Sequence, residues 1–282
     1  MLGVMLPLRP RRSRAPRLLL GLAAAALLAL AAGNAFAQRG GARFNQVQAK
    51  DGDFDGKFHF CRAAFRNGIG DGGGWSADWP WADINLSIRL GELTKTTVSK
   101  DAAGDPKPLL TVLSDPAMHQ CGFVMMTEVG SIFFTDDEVT NLRTYLLKGG
   151  FLWVDDFWGS YAWRVWENQI RKVFPAAEYE IVDLQPEHPI YNMQFRIART
   201  AQITNIGFWR NTGTTSERGA ETATVNTRAI ADRQGRVMVL MTHNTDFGDA
   251  WEREGEDASF FYKFAADGYA FGINVVLYAM TH

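Results

Sequence analysis

The sequence lacks three features that would assign it to well-defined classes of protein. It has no excess of positive charge, since 29 basic residues stand against 31 acidic residues. Its apolar run at 18–32 is too short to span a bilayer comfortably. No cysteine lies directly after that run, which argues against a lipoprotein anchor. We therefore expect no membrane span in the mature form, and no nucleic acid or anionic lipid as the main partner.

The first 37 residues have the three parts of a secretory signal peptide. Five arginines between Arg9 and Arg17 precede the apolar run, and Ala-Phe-Ala at 35–37 provides a cleavage site before Gln38. Cleavage removes those five arginines and no acidic residue, which leaves 24 basic against 31 acidic residues and a net charge of −7. We predict export to the periplasm or the medium, by either the Sec or the twin-arginine route.

Alternating strand and helix patterns predict one α/β domain over 57–282, preceded by a polar, flexible lead-in at 38–56. The best-defined helix begins at a capping box of Thr135 and Glu138, and it ends at two glycines. The strand that follows, at 151–154, is apolar at every position, as in a parallel strand covered on both faces. This alternation is typical of a doubly wound, mostly parallel sheet.

The C-terminal part departs from this alternation. Two strand-like segments at 222–231 and 236–242 are separated by a turn around Gln234-Gly235, so we predict a β-hairpin and a mixed sheet. A closing helix is predicted over 260–280. Its Lys263 and Asp267 argue against a membrane span.

The two cysteines, Cys61 and Cys121, are predicted to be separate packed thiols. A disulfide requires Cα atoms within about 7 Å of each other. Cys61 ends the predicted strand at 57–62, whereas Cys121 precedes the one at 122–127. In a parallel sheet these positions lie at opposite edges, about 15 Å apart over five residues.

Three segments carry a resemblance to a known family. The first, at 142–156, reads L-R-x-Y-L-x-x-G-G-F-L-x-V-D-D, the second is His-Pro-Ile at 188–190, and the third, at 244–252, reads N-x-D-x-G-D-A-W-E. From about Phe58 to His282 the chain resembles the bacterial domain-of-unknown-function family 4159. The resemblance implies a flavodoxin-like fold, similar to class I glutamine amidotransferases and trehalose-utilisation-like domains, and no established reaction. Some longer relatives carry membrane-anchored modules of the Bat type, which implies a role and protein partners in the cell envelope.

The resemblance to amidotransferases raises the question of a nucleophile. Those enzymes place a cysteine on a tight turn after such a strand, where backbone N–H groups can hold an oxyanion. Here Asp155 and Asp156 follow the strand, and Ser160 lies too far along the chain. We therefore expect no glutaminase mechanism.

Acidic residues follow two of the predicted strands. They suit acid/base chemistry or Ca²⁺ and Mg²⁺, which take oxygen ligands, although helix caps, loop bonds and turns would use the same residue types. Because parallel strands end at one edge of a sheet, we expect the two groups to converge if the second strand is parallel to the first. The candidate catalytic residues are Asp155, Asp156, His243, Asp246, Asp249 and Glu252.

Several tryptophans lie in predicted loops beside acidic residues. Large aromatic faces next to carboxylates suit the recognition of a sugar or a peptide, although packing within the loops explains them equally simply. The candidate substrate-binding residues are Trp75, Asp78, Trp79, Trp158, His188, Asn244 and Trp251.

Two short motifs resemble binding sites, but their neighbouring residues do not support binding. Residues 51–56 match the opening of a calcium loop, but its twelfth position is Arg62, which cannot bind a cation. Gly68-x-Gly70-x-x-Gly73 matches a dinucleotide-binding motif, but no helix pattern begins after it, so no nucleotide cofactor is expected. A divalent cation is left open as a cofactor, with no ligands assigned.

Two functional hypotheses follow from the sequence. The first is a ligand-binding or interaction domain of the cell envelope that lacks the amidotransferase cysteine and binds a small ligand such as a carbohydrate or a peptide. The alternative is a hydrolase or lyase, acting on carbohydrate, that uses the Asp/His/Glu cluster with or without a divalent metal.

Overall fold

A computed structural model describes residues 48–68 and 74–282. Within them, a seven-stranded sheet has the order β2-β1-β3-β4-β7-β6-β5. The strands are β1 Cys61–Ala64, β2 Leu109–Val112, β3 Val124–Thr127, β4 Leu152–Phe157, β5 Val182–Asp183, β6 Asn226–Ala231 and β7 Val237–His243. The helices are α1 Trp81–Leu93, α2 Asp136–Leu147, α3 Gly159–Val173, α4 Ile206–Thr212, α5 Phe247–Glu252, α6 Ala258–Phe260 and α7 Ala266–Thr281, with a π-helical turn at Phe261–Ala265 before α7.

The sheet is mostly parallel. Strand β1 pairs in parallel with β2 and β3, β3 with β4, and β4 with β7. Strand β6 is antiparallel to both β5 and β7. The α/β class and the β6–β7 hairpin are therefore confirmed. Because β7 runs parallel to β4, the segments that follow β1, β3, β4 and β7 meet at one side of the sheet, which we call the carboxyl edge.

Helices cover both faces of the sheet. On one face, Leu142 of α2 and Trp166 of α3 pack in one buried cluster with Val154 of β4. On the other, Leu86 of α1 joins Trp153 of β4 in a second cluster that also includes residues of α7. All six residues of β4 are buried, as expected for a central strand. Each fully buried large apolar side chain contributes about 1.5–3 kcal/mol to stability.

The helix α2 begins and ends as predicted. The Thr135 hydroxyl accepts the Glu138 N–H, and the Glu138 carboxylate accepts the Thr135 N–H at 2.7 Å. After the helix, the Tyr145 hydroxyl donates to the Phe151 carbonyl and accepts the Phe151 N–H. A Cβ at Gly150 would lie 2.4 Å from the Tyr145 ring, so only glycine fits between the helix and β4.

The expectation of two separate thiols is wrong, because Cys61 and Cys121 form a disulfide with a Cα–Cα distance of 6.2 Å. Strand β1 begins at Cys61 rather than ending there, and Cys61 is in register with Val124 at the start of β3. Both cysteines therefore lie at the amino-terminal edge of the sheet. Closing a loop of 60 residues in this way stabilises the fold by about 4 kcal/mol in the chain-entropy model.

The start of the described chain packs on the domain, although the sequence places 38–56 in a flexible lead-in. The Ala49 N–H donates to the Leu110 carbonyl at 2.8 Å, and Ala49 is buried. Asp53 pairs with Lys107. Asp55 of the same segment pairs with Lys57, so two of its carboxylates are paired with lysines. The predicted signal peptide and positions 69–73 of the glycine motif lie outside the described residues.

Other differences concern short elements. The sequence pattern also predicts short strands at 96–99 and 179–182. The first is only an isolated bridge between Phe58 and Val98, and the second is reduced to the two-residue edge strand β5. The helices α4 and α5 were not expected from the sequence. In the described part of the chain, no helix combines the length and the apolar composition needed to cross a membrane.

Candidate functional site

Acidic side chains from four segments gather at the carboxyl edge. One lies in the loop after β1, one directly follows β3, two belong to β4, and two follow β7. Burial and the charges of the neighbouring carboxylates together raise the pKa values of Asp78, Asp156 and Asp246 well above the ordinary range. We call this group the carboxylate cluster; it consists of Asp78, Glu128, Asp155, Asp156, Asp246 and Asp249.

Three members of the cluster are especially close. Asp78, Asp246 and Asp249 each offer a carboxylate oxygen, and these oxygens lie within 4.8 Å of one another. Asp246 caps α5, because its Oδ1 accepts the Asp249 N–H at 2.9 Å. Asp249 Oδ2 accepts the Ile206 N–H. Asp78 Oδ2 is completely buried and has no hydrogen-bond partner in the described part of the chain.

Gly248 allows the Asp78 carboxylate to approach α5. A Cβ at position 248 would lie 2.1 Å from Asp78 Oδ2, so a larger residue there would force Asp78 or the backbone of α5 to move. The glycine in the N-x-D-x-G-D segment is therefore explained by the close packing of Asp78. This contact joins the loop after β1 to the loop after β7.

Asp155 joins the end of β4 to the same loop. Its Oδ2 accepts the Phe247 N–H at 2.7 Å, and its Oδ1 accepts the Thr242 hydroxyl. The neighbouring Asp156 N–H donates to the Thr245 carbonyl at 3.2 Å. Burial raises the pKa of Asp155 to about 7, although its hydrogen bonds act in the opposite direction. The structure thus brings Asp155 and Asp156 together with Asp246 and Asp249.

The backbone is strained at the same edge. Among the described non-glycine residues, four have a positive φ: Asp78 at 60°, Glu128 at 49°, Asp156 at 53° and Asn244 at 66°. Each is in the cluster or next to it in sequence. Left-handed conformations of this kind are unfavourable for non-glycine residues and are concentrated at ligand and active sites.

One buried cation lies beneath the cluster. Arg62 of β1 is completely buried and forms an ion pair with Asp83 of α1, and its Nη1 also donates to the Thr127 hydroxyl at 3.0 Å. Because Arg62 is bound by Asp83, it forms no ion pair with a carboxylate of the cluster in the described part of the chain. In the sequence, Arg62 stands out only as the twelfth position of the calcium-loop motif. An arginine within an otherwise apolar strand was the available signal for a buried acidic partner.

His243 is held apart from the cluster. Its ring packs against Phe157 and Trp163, with centroid distances of 4.9 and 5.5 Å. Its Nε2 lies 3.0 Å from the Gly159 carbonyl oxygen. Burial lowers the pKa of His243 to about 4, so the ring is neutral at physiological pH. These contacts give it a structural role at the start of α3.

Asn244 and Glu252 have different surroundings. Asn244 Oδ1 accepts the Gly159 N–H at 2.9 Å, and its Nδ2 donates to the Thr224 carbonyl. Asn244 therefore anchors the start of α3. Glu252 lies at the rim of the cluster, where its Oε2 is 2.7 Å from Arg253 Nε. The two groups form an ion pair, but they are not oriented for a hydrogen bond.

The tryptophans do not form one aromatic platform. Trp251 is fully buried against Trp153, with 5.5 Å between ring centroids. Trp158 is also buried, and its Nε1 donates to Asp156 Oδ1 at 2.9 Å. Trp75 and Trp79 are half-buried in the loop that carries Asp78, and their ring centroids lie 6.5 Å apart.

His188 belongs to a different contact. Its Nδ1 accepts the Ile190 N–H, and its ring packs on Tyr278 of α7 at 5.4 Å. The ring therefore holds a short 3-10 turn, Pro189–Asn192, against α7. The motif His-Pro-Ile is explained by this packing.

A polar pocket of about 730 Å³ lies beside β5 and β6, and none of its lining residues belongs to the carboxylate cluster. One of its walls is formed by residues 199–202, and the chain then continues directly to the cluster. Within this continuation, the Asp246 N–H donates to the Ile203 carbonyl at 3.0 Å, and Thr245 Oγ1 accepts the Ile203 N–H. Other lining residues include Tyr191, Asn226, Thr227 and Lys263.

A second pocket, of about 810 Å³, lies at the amino-terminal edge of the sheet. Its lining includes Lys57, Lys95 and Cys121, so it is remote from the carboxylates. It provides a location for control substitutions.

Comparison with known proteins identifies one family. The model of the family described as Domain of unknown function (DUF4159) matches residues 63–280. This range includes every member of the carboxylate cluster and every residue that lines the polar pocket. No curated protein matches the chain.

Proposed function

The chain belongs to the DUF4159 family, and from the geometry at its carboxyl edge we propose that it is an exported, ligand-binding domain of the cell envelope. The ligand is a small polar molecule, a carbohydrate or a peptide. The observation that carries the proposal is the polar pocket. One of its walls, 199–202, continues along the chain to Ile203 and Ile206, whose N–H groups donate to Thr245 and to Asp249 of the cluster. Ligand pockets combine a concave shape with a few placed polar groups in this way.

The strand order supports a flavodoxin-like fold of the amidotransferase-like type. The sequence β2-β1-β3-β4 reverses direction between β1 and β3. In doubly wound sheets, ligands bind outside the carboxyl ends of the strands at this reversal. Asp78 and Glu128 follow these two strands, so the cluster occupies the expected crevice.

The disulfide supports both export and the absence of a thiol nucleophile. Disulfides persist mainly in oxidising compartments, which agrees with the signal peptide that the sequence predicts. Cys61 and Cys121, the only cysteines in the chain, bind each other at the amino-terminal edge. No cysteine is therefore left for a glutaminase at the carboxyl edge.

The lining of the polar pocket suits a hydroxylated or amide-containing ligand. The hydroxyls of Tyr191, Thr200 and Thr227 form a chain, with distances of 2.9 and 2.6 Å. Arg199 lines the pocket and forms no ion pair within the described chain. Hydroxyl groups can donate and accept, and a guanidinium offers five donors. Together these groups can recognise a ligand that has several oxygen atoms.

The proposal is tested by binding measurements on the mature protein. Saturation-transfer NMR and calorimetry would use a panel of mono- and disaccharides and dipeptides. Arg199→Gln and Thr227→Val remove polar groups with little change in shape, and Lys95→Gln in the other pocket is the matched control. We expect Arg199→Gln to weaken binding about tenfold, since hydrogen bonds to charged groups contribute about 1.5–3 kcal/mol. Absence of binding across the panel, or equal weakening of binding by Lys95→Gln, would refute the proposal that the polar pocket binds the ligand.

A second candidate function, hydrolysis or lyase chemistry on a carbohydrate, is favoured by one observation. Burial raises the pKa of Asp155 to about 7 and that of Asp249 to about 6, which suits a general acid near neutral pH. Both carboxylates are completely buried, however, so binding is the first proposal. Turnover of chromogenic glycosides by the wild type, lost in Asp249→Asn at unchanged Tm, would favour the hydrolase.

A further inference from the structure

We propose that Asp78, Asp246 and Asp249 form a binding site for a divalent cation of the Ca²⁺ or Mg²⁺ type. The proposal adds a cation to the carboxyl edge, and it rests on the proposed function only in treating this edge as the ligand site. The cation site makes no use of the polar pocket. The cation site and the ligand-binding pocket can therefore be refuted separately.

The spacing of the three carboxylates fits one ion. Their oxygens lie within 4.8 Å of one another. Ca²⁺ binds oxygen at about 2.3–2.6 Å, so two oxygens on one Ca²⁺ ion are at most about 5 Å apart, whereas the shorter bonds of Mg²⁺, about 2.0–2.1 Å, would require the oxygens to move closer, to about 4 Å. The three side chains can therefore share an ion without a large movement of the backbone. Ordered solvent would complete the coordination.

An unpartnered atom points to this ligand independently of the acidity. Asp78 Oδ2 is completely buried, and no donor of the described chain reaches it. It lies against Gly248, in the segment between Asp246 and Asp249. A buried carboxylate oxygen without a partner is strongly unfavourable. A cation bound by all three carboxylates would satisfy this oxygen directly.

The protein's own cations do not neutralise the site. Arg62 is bound by Asp83, as described above. Arg253 is the other nearby guanidinium, and its Nε lies 3.5 Å from Asp249 Oδ1 and 2.7 Å from Glu252 Oε2. It also pairs with Glu256. One guanidinium is thus divided among three acids at the rim, and in the described part of the chain it forms no ion pair with Asp78 or Asp246.

Binding would connect two distant parts of the chain. Asp78 belongs to the loop after β1, and the other two ligands belong to the loop and helix after β7. An ion that binds only the folded arrangement stabilises it by mass action. At a concentration 100 times the Kd, we expect Tm to rise by about 5–10 °C for a domain of this size.

The experiment uses metal-free mature protein and the ions themselves. The protein is treated with EDTA, dialysed, and titrated with CaCl₂, MgCl₂ or MnCl₂ in a calorimeter and in thermal-unfolding scans. We expect one ion per chain and the stated rise in Tm. Asp78→Asn should lower the affinity about tenfold or more while the ion-free protein stays folded. The exposed Asp105→Asn is the matched control and should bind as the wild type does.

Three results would overturn the site. They are no binding of any of the three ions at millimolar concentration, unchanged affinity in Asp78→Asn, and equal loss in Asp105→Asn. If Asp78→Asn does not fold, Asp249→Asn takes its place. If neither variant folds, the wild type is titrated with Tb³⁺, and the luminescence of the bound ion is excited through tryptophan. Any number other than one Tb³⁺ ion per chain would refute the proposal. Sugar or peptide binding that persists in EDTA would show that the polar pocket does not depend on the cation. The proposed function would then stand even if the cation site is refuted.

Discussion

Replacing Asp155 by asparagine is expected to stabilise the protein at alkaline pH. The carboxylate is completely buried and accepts the Phe247 N–H and the Thr242 hydroxyl. Asparagine has the same shape, and its oxygen can keep the bond to Phe247. Its amide can donate to Thr242, whose hydroxyl then turns to the Val154 carbonyl oxygen, 3.3 Å away. The variant thus keeps its hydrogen bonds and carries no charge.

The magnitude follows from the pKa of Asp155, which burial raises from 3.8 to about 7. The folded state therefore binds the proton more tightly than the unfolded state, and wild-type stability falls as pH rises from 4 to 7. Each pKa unit corresponds to about 1.4 kcal/mol. At pH 8 the asparagine variant is expected to be more stable by about 4 kcal/mol at most, and the difference should widen by about 3 kcal/mol between pH 5 and pH 8.

The assay is urea unfolding of both proteins at pH 5 and pH 8 in the presence of EDTA, which removes any bound cation. Asp105→Asn, an exposed substitution of the same chemistry, should show no such pH-dependent difference. A difference between variant and wild type that is the same at both pH values would refute the reasoning. Lower stability of Asp155→Asn at pH 8 would refute it as well.

Three further predictions concern other parts of the chain. Mass spectrometry of the exported protein should find Gln38 at the amino terminus. The pair of changes Cys61→Ala and Cys121→Ala should lower the free energy of unfolding by about 4 kcal/mol and leave cation or ligand affinity within a few-fold of the wild type. Gly248→Ala should weaken cation binding in calorimetric titration, because its Cβ would lie 2.1 Å from Asp78 Oδ2.

Each of these predictions has an outcome that contradicts it. A mature protein that keeps the apolar run at 18–32 would contradict export by cleavage. Loss of ligand affinity without loss of stability in the cysteine variants would restore a role for a thiol. Gly122→Ala is the control for Gly248→Ala, since nothing lies within 4 Å of a Cβ at position 122. Equal effects of the two alanine variants would contradict the steric argument.

Local signals in the sequence were sufficient for the main elements of the fold. The capping box at Thr135 and the glycines after α2 are recognised from neighbouring residues, and the structure has the helix where they predict it. The disulfide was missed because it depends on where β1 begins. The alternating segment from 57 predicts a strand that ends near Cys61, whereas pairing with β2 and β3 starts at that residue. Strand boundaries depend on the partner strands, which local patterns do not contain.

The candidate site was predictable in part. Asp155 and Asp246 could be expected to approach because both follow parallel strands, and the structure brings them together. Asp78 was considered only as a substrate contact, and Glu128 was not considered. Their places depend on loops whose paths are set by tertiary packing, such as the contact of Asp78 with Gly248. No local pattern in the sequence encodes such an approach.

At the left-handed residues of the carboxyl edge, glycine would relieve backbone strain but would remove the side chain. Stability and the presence of these side chains are therefore in conflict. Glycine would adopt a positive φ without strain at Asp78, Glu128, Asp156 and Asn244, so the present residues forgo about 1 kcal/mol or more at each. Four such positions amount to a large fraction of the 5–15 kcal/mol that typically separates folded from unfolded protein. Chains selected for thermal stability alone would accumulate glycine at the three acidic positions and lose three carboxylates, whereas Asn244 would be kept for its bonds to Gly159 and Thr224. Selection experiments under heat, with and without a requirement for ligand binding, should therefore give different residues first at Asp78, Glu128 and Asp156.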